Sequence, residues 1–440
     1  MAKFKAIIIG GGPVGLVMAH ALALADIDYT LYERRQSIVD REGAGIAVMP
    51  HVVRILHQLG VLEEACKIGE PMLGTAHVVG GNKGWRDNAS EILSQKFGYN
   101  ILLFERFRLM KLLLDSIPDR EEHIRTGMTL KSIKEHDQGV SVAFEDGTVD
   151  EGSIVIGADG VHSTVRHLLS DVSAGEVEAM PFTTVIQGLY GHGPRIDGMR
   201  NGEVVENHHD GWAVQTLTGR DRTFYFIYAK LKQPTKDRRR FTTADTQEFM
   251  QLYSHEKVFG EVTFADLWER RDLGELRYLE QGVAKTWSRG RVVLVGDSVH
   301  KVTPNLGIGG NIGIESAASL ANHLHALLKQ ESAPDSRALG EAFAAYQNQR
   351  FDVVESWYRR GYWHVKFLTF ETKRHREMFE KQALKSGLDH ISKFKFAKDY
   401  LDTVSQGIKL DYVPIESELS GTYPWAASTS VLESKLHPKL

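Results

Sequence analysis

Apolar and polar positions alternate along this chain in two repeating ways, and each predicts a different kind of element. Near the start, Lys5 to Ile9 is a short β-branched run, followed by the turn Gly10-Gly11-Gly12-Pro13-Val14-Gly15 and an apolar stretch from Pro13 to about Ala25. That order predicts a buried strand, a tight turn and a buried helix. Asp28 to Tyr32 predicts a second strand, closed by Glu33. Far downstream, Arg291 to Val295 is again a short apolar run, ending in Gly296-Asp297, and a loop containing Gly307, Gly309 and Gly310 leads to a helix with its N-cap expected at Asn311. Between these lie an amphipathic helix at Pro50 to Leu59, with Val53, Leu56 and Leu59 on one face, and an apolar run at Ile101 to Phe104. Arg106 then opens a helix with Leu109, Leu112 and Leu113 inward. A further strand, Ser153 to Ile156, closes on Gly157-Ala158-Asp159-Gly160.

From about Phe182 to Val283 the pattern changes to longer strands. Thr183 to Tyr190, Gly202 to Glu206, Trp212 to Leu217 and Arg222 to Leu231 alternate or run apolar and aromatic. In the last of them Phe224, Phe226 and Tyr228 share one face, and Tyr225 and Ile227 the other. One face packs as core and the other is free to line a cavity, with Trp212, Tyr225 and Tyr228 as candidate pocket residues. From about Ala342, Phe343, Tyr346 and Phe351 continue a helical pattern; charged helices follow Arg359, and Val413 to Leu440 is a polar end that either packs on the body or forms an interface. The fold class is α/β, with a Rossmann-like first domain, a second β-sheet domain and a C-terminal helical segment.

Composition narrows the function classes. The chain has 440 residues, a quarter of them charged, and a net charge of −4, so nothing points to nucleic acid. Cys66 is the one cysteine, which excludes an intrachain disulfide and a cysteine-based zinc site and fits a reducing cytoplasmic setting. Ala6 to Ala25 contains no Lys, Arg, Asp or Glu and imitates a membrane span. Its glycine turn divides it into a strand and a helix, so a soluble protein is expected, as a monomer or homodimer.

The turn at Gly10, Gly12 and Gly15 satisfies G-x-G-x-x-G, and its context completes it: a strand before, a helix after and an acidic residue closing the next strand. The glycines permit a tight turn and close approach to a pyrophosphate, and Glu33 would take the ribose diol and repel a 2′-phosphate. FAD or NAD therefore fits better than NADP there, with Arg34 and Arg35 beside it. Asp297 at a strand end can accept from a sugar-alcohol chain, and Gly309, Gly310 and Asn311 open a helix whose positive end suits a reduced flavin. Asp159 stands where α/β sheets bind ligands and equally fits a helix cap. The loop at Arg41 to Ala47 suits backbone passing a flavin or a plain connection, and Arg106 suits a pyrophosphate or solvent.

Together GGGPVG with Glu33, GADGVHSTVR, LWERR, TWSRGRVVLVGDS and HKVTPNLGIGGN followed by IESAASLAN resemble the FAD-dependent monooxygenases of the aromatic-hydroxylase superfamily, up to about Tyr358. Within it they look most like fungal enzymes that epoxidise or hydroxylate prenylated secondary metabolites, among them indole-diterpene and meroterpenoid enzymes. The resemblance implies FAD contacts at Glu33, Ala47, Arg106, Asp297 and Gly310. It further implies reduction by NADPH or NADH, O2 as co-substrate, and transfer of one oxygen atom through a flavin C4a-hydroperoxide to a hydrophobic prenylated, indole or polyketide-derived substrate. The domain layout expected is 1–181 and 285–358 for FAD, 182–284 for substrate with an insertion at about 72–100 on the substrate side, and a tail at 359–440. Ile308 and His51 stand where relatives commonly carry Gln and Asn, and this tail lacks the hydrophobic segments many of them have.

Some relatives place a catalytic Tyr near Glu206 to Gly211; His208 stands in its place and is the candidate for acid-base help. No metal set emerges: His208 and His209 are adjacent on a strand, and His323 and His325 lie two apart on a helix. His300 fits either a flavin-positioning role or an ordinary loop histidine. With no second G-x-G-x-x-G after a strand, the nicotinamide is expected to dock transiently. A flavin oxidase or dehydrogenase, and a non-enzymatic redox sensor or scaffold, are the alternatives; a halogenase is disfavoured by the absence of W-x-W-x-I-P.

Overall fold

Lys5–Ile9 pairs in parallel with Asp28–Glu33 on one side and Ile154–Gly157 on the other. These belong to a six-stranded sheet completed by Val292–Leu294, Ser288–Arg289 and Ile124–Thr126. The computed structural model describes residues 3–39, 43, 45–81, 83–172, 175–383, 385, 391–392 and 395–426. The central strands of this sheet, Lys5–Ile9, Ile154–Gly157 and Val292–Leu294, are almost wholly apolar, as strands covered on both faces are. Ala6, Ile7, Ile8, Ile154, Val155, Ile156, Val292 and Val293 are completely buried. The helix Pro13–Leu24 packs against the 20-residue helix Gly309–Leu328, so the two glycine-rich turns open side by side at the carboxyl end of the sheet.

The second body is a nine-stranded sheet that includes, in order, Leu273–Val283, Thr183–Pro194, Arg222–Thr235, Trp212–Thr218, Glu203–His208, Gly74–Val79 and Lys83–Asp87. Neighbours in this series are antiparallel, except that Glu203–His208 and Gly74–Val79 are parallel. The segment after Met72 therefore joins a sheet built mostly from residues more than a hundred positions later.

A 33-residue helix, Ser336–Leu368, connects the two bodies, and Asp335 caps it by accepting from the Ala338 N–H at 2.8 Å. Its first half buries Phe343, Tyr346 and Val354 in the core of the parallel sheet. Its end buries Val365 and Leu368 under Ile186, Ala213 and Tyr228 of the larger sheet. The described part of the tail packs back on the body: Gln58 donates to the carbonyls of Leu410 and Val413, and the Tyr412 hydroxyl donates to the Ala21 carbonyl at 2.6 Å. Among the described residues no helix is long and apolar enough to cross a membrane.

Candidate active site

A cavity of about 1850 Å³ runs between the two sheets. One wall is the carboxyl end of the parallel sheet, where α/β folds hold ligands. Gly10, Gly12, Glu33, Asp159, Asp297, Gly309 and Gly310 line it, with Ala47 and Arg106. The three glycines of the first turn do different work. A Cβ on Gly10, whose φ is +111°, would lie 2.5 Å from the Ala158 carbonyl oxygen, and one on Gly15 would lie 1.9 Å from the Gly10 oxygen. Those positions exist for packing, and Gly15 does not line the cavity. A Cβ on Gly12 would meet nothing within 4 Å, so that glycine keeps space open at the start of a helix.

The polar groups on this wall are positioned by backbone. Glu33 accepts from the Gly11 N–H at 2.8 Å and, through its other oxygen, from the Arg35 N–H at 3.0 Å. Asp159 accepts from the N–H groups of Thr164 and Val165, at 2.7 and 3.1 Å, and so caps the helix Thr164–Val172 while lining the cavity. Burial pushes its carboxyl up, against those hydrogen bonds. Asp297 is paired with Lys301. Arg106 is the first residue of the helix Arg106–Asp115 and faces the cavity. Of the loop at Arg41 to Ala47, residues 41, 42 and 44 lie outside the described residues.

Asn311 is not the N-cap that its sequence position suggests. The helix starts at Gly309 after Ile308, and Asn311, buried one turn in, donates to the carbonyls of Ala47 and Gly307 and accepts from the Met49 N–H, each at 2.8 Å. It sets the distance between the helix start and the strand Gly45–Val48 instead of touching the cavity. Arg166 has a similar bracing role: fully buried, it donates to the carbonyls of Ser298, Val161 and Ala179 and thereby locks the Asp159 loop to the Asp297 loop.

Across the opposite wall runs one cross-strand row of the larger sheet. Trp85 lies opposite His77, His77 opposite Glu206, Glu206 opposite Gln215, Gln215 opposite Phe226, Phe226 opposite Tyr190 and Tyr190 opposite Glu275. All seven line the cavity. Because side chains in register share one face of a sheet, this row is a direct consequence of strand pairing.

Its middle is a buried polar cluster. His77 stands between two carboxylates, Nε2 being 3.0 Å from Asp87 and Nδ1 3.1 Å from Glu206. Burial alone would pull the imidazole down, but the two carboxylates outweigh it and raise His77 to about 9. Burial pushes Glu206 up, and His364 and His77 overcome this, holding it well below the usual carboxylate range. Gln215 donates to Glu206 and to the Asn305 carbonyl, both at 2.9 Å, and accepts from the Tyr228 hydroxyl at 2.9 Å. Asn305 belongs to the loop before Gly307, so the cluster is wired to the loop beside the glycine-rich wall.

His208 does not reach the cavity. It is fully buried, its ring stacks on Phe370 and lies against Phe367 and Phe379, and burial lowers it to about 3, so it is neutral. Glu206, two residues earlier on the same face, holds the cavity position instead. Trp212 stacks on His209 and Tyr253, Tyr225 is buried with its hydroxyl on the Leu273 carbonyl, and Tyr228 lies behind Gln215. None of the three lines the cavity; Phe226 and Tyr190 do. His300 is buried against Trp287 and Ser316.

Potential ligand atoms of His77, Glu206 and His208 come within 4.8 Å of one another, a juxtaposition that sequence spacing alone does not reveal. Both His77 nitrogens face carboxylates, the bonding of an imidazolium and not of a neutral metal-bound ring.

The donor set of the first wall fits a dinucleotide: an open glycine at a helix start, an acidic residue at the end of the second strand and an arginine across from them. Comparison with known proteins agrees. The family described as FAD binding domain matches residues 3–361. The FAD-dependent monooxygenase esdpE of Penicillium shearii is 33% identical over 94% of this chain and 87% of its own length. The FAD-dependent monooxygenase nodM of Hypoxylon pulicicidum is 36% identical over 81% of this chain and 79% of its own. Among solved structures, Klebsiella pneumoniae HpxO complexed with FAD and uric acid has a similar fold, with a TM-score of 0.70 at 22% identity over 87% of this chain and 93% of that one.

Proposed function

The chain belongs to the FAD binding domain family as an FAD-dependent monooxygenase of fungal secondary metabolism, and from that premise we propose that it uses NADPH or NADH and O2 to place one oxygen atom on a hydrophobic substrate, by epoxidation or hydroxylation of a prenylated, indole or polyketide-derived compound. The observation that carries this reading is the shape of the cavity. One continuous space has a dinucleotide-type wall on one side and, on the other, a wall where apolar side chains surround a small buried polar cluster.

Bound FAD, once reduced, supplies activation of O2 at its C4a position. The chain supplies the rest. Gly12 and the helix start behind it suit the pyrophosphate, Glu33 the ribose, Arg106 a phosphate or the flavin edge, and Asp297 the sugar-alcohol chain. Gly309 and Gly310, at the start of a long helix, suit the flavin ring. Met72, Leu93, Val204, Leu217 and Phe226 make the substrate end largely apolar, which excludes water from the place of oxygen transfer.

The test follows NADPH and NADH oxidation by the FAD-loaded protein, with peroxide assayed in parallel, across prenylated indoles, polyprenyl phenols and simple phenols. The expected result is acceleration by one class with little peroxide and an oxygenated product. Stoichiometric peroxide with no oxygen in the product would identify an oxidase instead.

A further inference from the structure

Within the monooxygenase reading above, we propose that Glu206 anchors a hydrogen-bond donor of the substrate, so that the substrate is an apolar framework carrying a hydroxyl or N–H at the end seated near Trp85. Glu206 is 3% exposed and lines the cavity. One carboxylate oxygen receives Gln215 Nε2 at 2.9 Å and faces His364 Nε2 at 3.5 Å; the other faces His77 Nδ1 at 3.1 Å. An ionised carboxylate has about four acceptor positions, so capacity is left for one more donor.

The charges of the cluster point the same way. Asn305 Nδ2 donates to the Gly361 carbonyl at 3.1 Å and lies 2.9 Å from His364 Nδ1. His208 is buried among phenylalanine rings and contributes no cation. His77 stands between two carboxylates, Asp87 and Glu206, and is shared by both. The Glu206 carboxylate, with that acceptor position open, lines the cavity beside Val204 and Phe226. A substrate that displaces water from this end leaves that charge costly unless it brings a donor of its own. A ketone, ester or ether in the same place offers only lone pairs to a carboxylate and is rejected.

The experiment uses the FAD-loaded full chain and two matched probes, 2-naphthol and 2-methoxynaphthalene, with binding read from the perturbation of flavin absorbance and fluorescence. Wild type is expected to bind the naphthol about tenfold tighter than its methyl ether, as a hydrogen bond to a charged acceptor gives. Glu206→Gln is expected to reduce that preference to about threefold or less, with FAD content unchanged. Equal affinity for the two probes in wild type, a measurement that needs no variant, would overturn the anchor and leave the substrate chamber in place. An unchanged preference in E206Q would do the same. If neither probe perturbs bound flavin, the chamber reading falls together with the anchor.

Discussion

Glu206 and His77 lie directly opposite each other in a parallel strand pair, with a carboxylate oxygen 3.1 Å from the imidazole Nδ1. Asp87 holds the other ring nitrogen, His364 approaches Glu206 from the long helix, and His208 lies on the strand of Glu206 as a neutral ring. His77 is raised from an ordinary 6.5 to about 9 in this setting. A raised histidine adds stability that is fully present below the unfolded value and lost as pH rises through the folded one. Thermal unfolding of wild type and of His77→Gln is therefore expected to differ most near pH 6, by at most ~3 kcal/mol, and the gap should close by about pH 10. Parallel pH profiles for the two proteins would show that His77 carries no such charge.

The first turn separates folding from cofactor binding. Gly12→Ala adds a methyl into open space, so the FAD-free protein should keep its melting temperature while its affinity for FAD falls about tenfold or more. Gly15→Ala drives a methyl to 1.9 Å from the Gly10 carbonyl oxygen and should destabilise the FAD-free protein itself. Calorimetry without cofactor and fluorescence titration with FAD distinguish the two, and equal melting temperatures for both variants would contradict this division of roles.

The turn at Gly10 to Gly15, Glu33 and Asp297 could be read from the sequence because each is a local pattern: a run of strand residues, a glycine, an acid. Their chemistry depends on neighbours only a few positions away. The polar cluster was not legible in this way. His77 and Glu206 meet because two distant segments pair in one sheet, and neither segment contains a motif. Alternation correctly separated Phe226 from Tyr225 onto two faces, yet both faces are aromatic, so the pattern could not say which one meets the cavity. The titratable ring of His208 suggests a catalytic role, but three phenylalanines from the long helix and the segment after it take away its proton and its access. Asn311 is of a type that suits a cap; its partners, Ala47, Met49 and Gly307, come largely from the other end of the chain.

Glu33 has two duties, and removing it should cost both. Its carboxylate takes the Gly11 N–H, which positions the turn, and it faces the cavity where a ribose diol would lie. Glu33→Ala leaves the N–H without its acceptor and the diol without a partner, so FAD dissociation should rise about tenfold to a hundredfold. Equilibrium dialysis of the purified variant measures this. Retention of FAD at the wild-type level would show that the ribose is held elsewhere.

Phe226 and Tyr225 are neighbours on one strand and should respond oppositely to truncation. Tyr225 is 1% exposed, does not line the cavity and packs on Phe264, with its hydroxyl on the Leu273 carbonyl. Tyr225→Ala leaves a void and an unfilled acceptor, and should lower unfolding free energy by about 3–5 kcal/mol, as aromatic core truncations do. Phe226 is half-buried with its ring in the cavity wall, so Phe226→Ala should cost less, about 1–2 kcal/mol, because much of its surface already faces open space. Its effect should be on recognition: a larger chamber, weaker binding of small aromatics such as 2-naphthol, and relatively better acceptance of bulkier polycyclic compounds. Urea unfolding and flavin-perturbation titrations on both variants decide the matter. Equal stability losses, with unchanged ligand preference in the Phe226 variant, would mean that the wall of the chamber is formed by the other face of this strand.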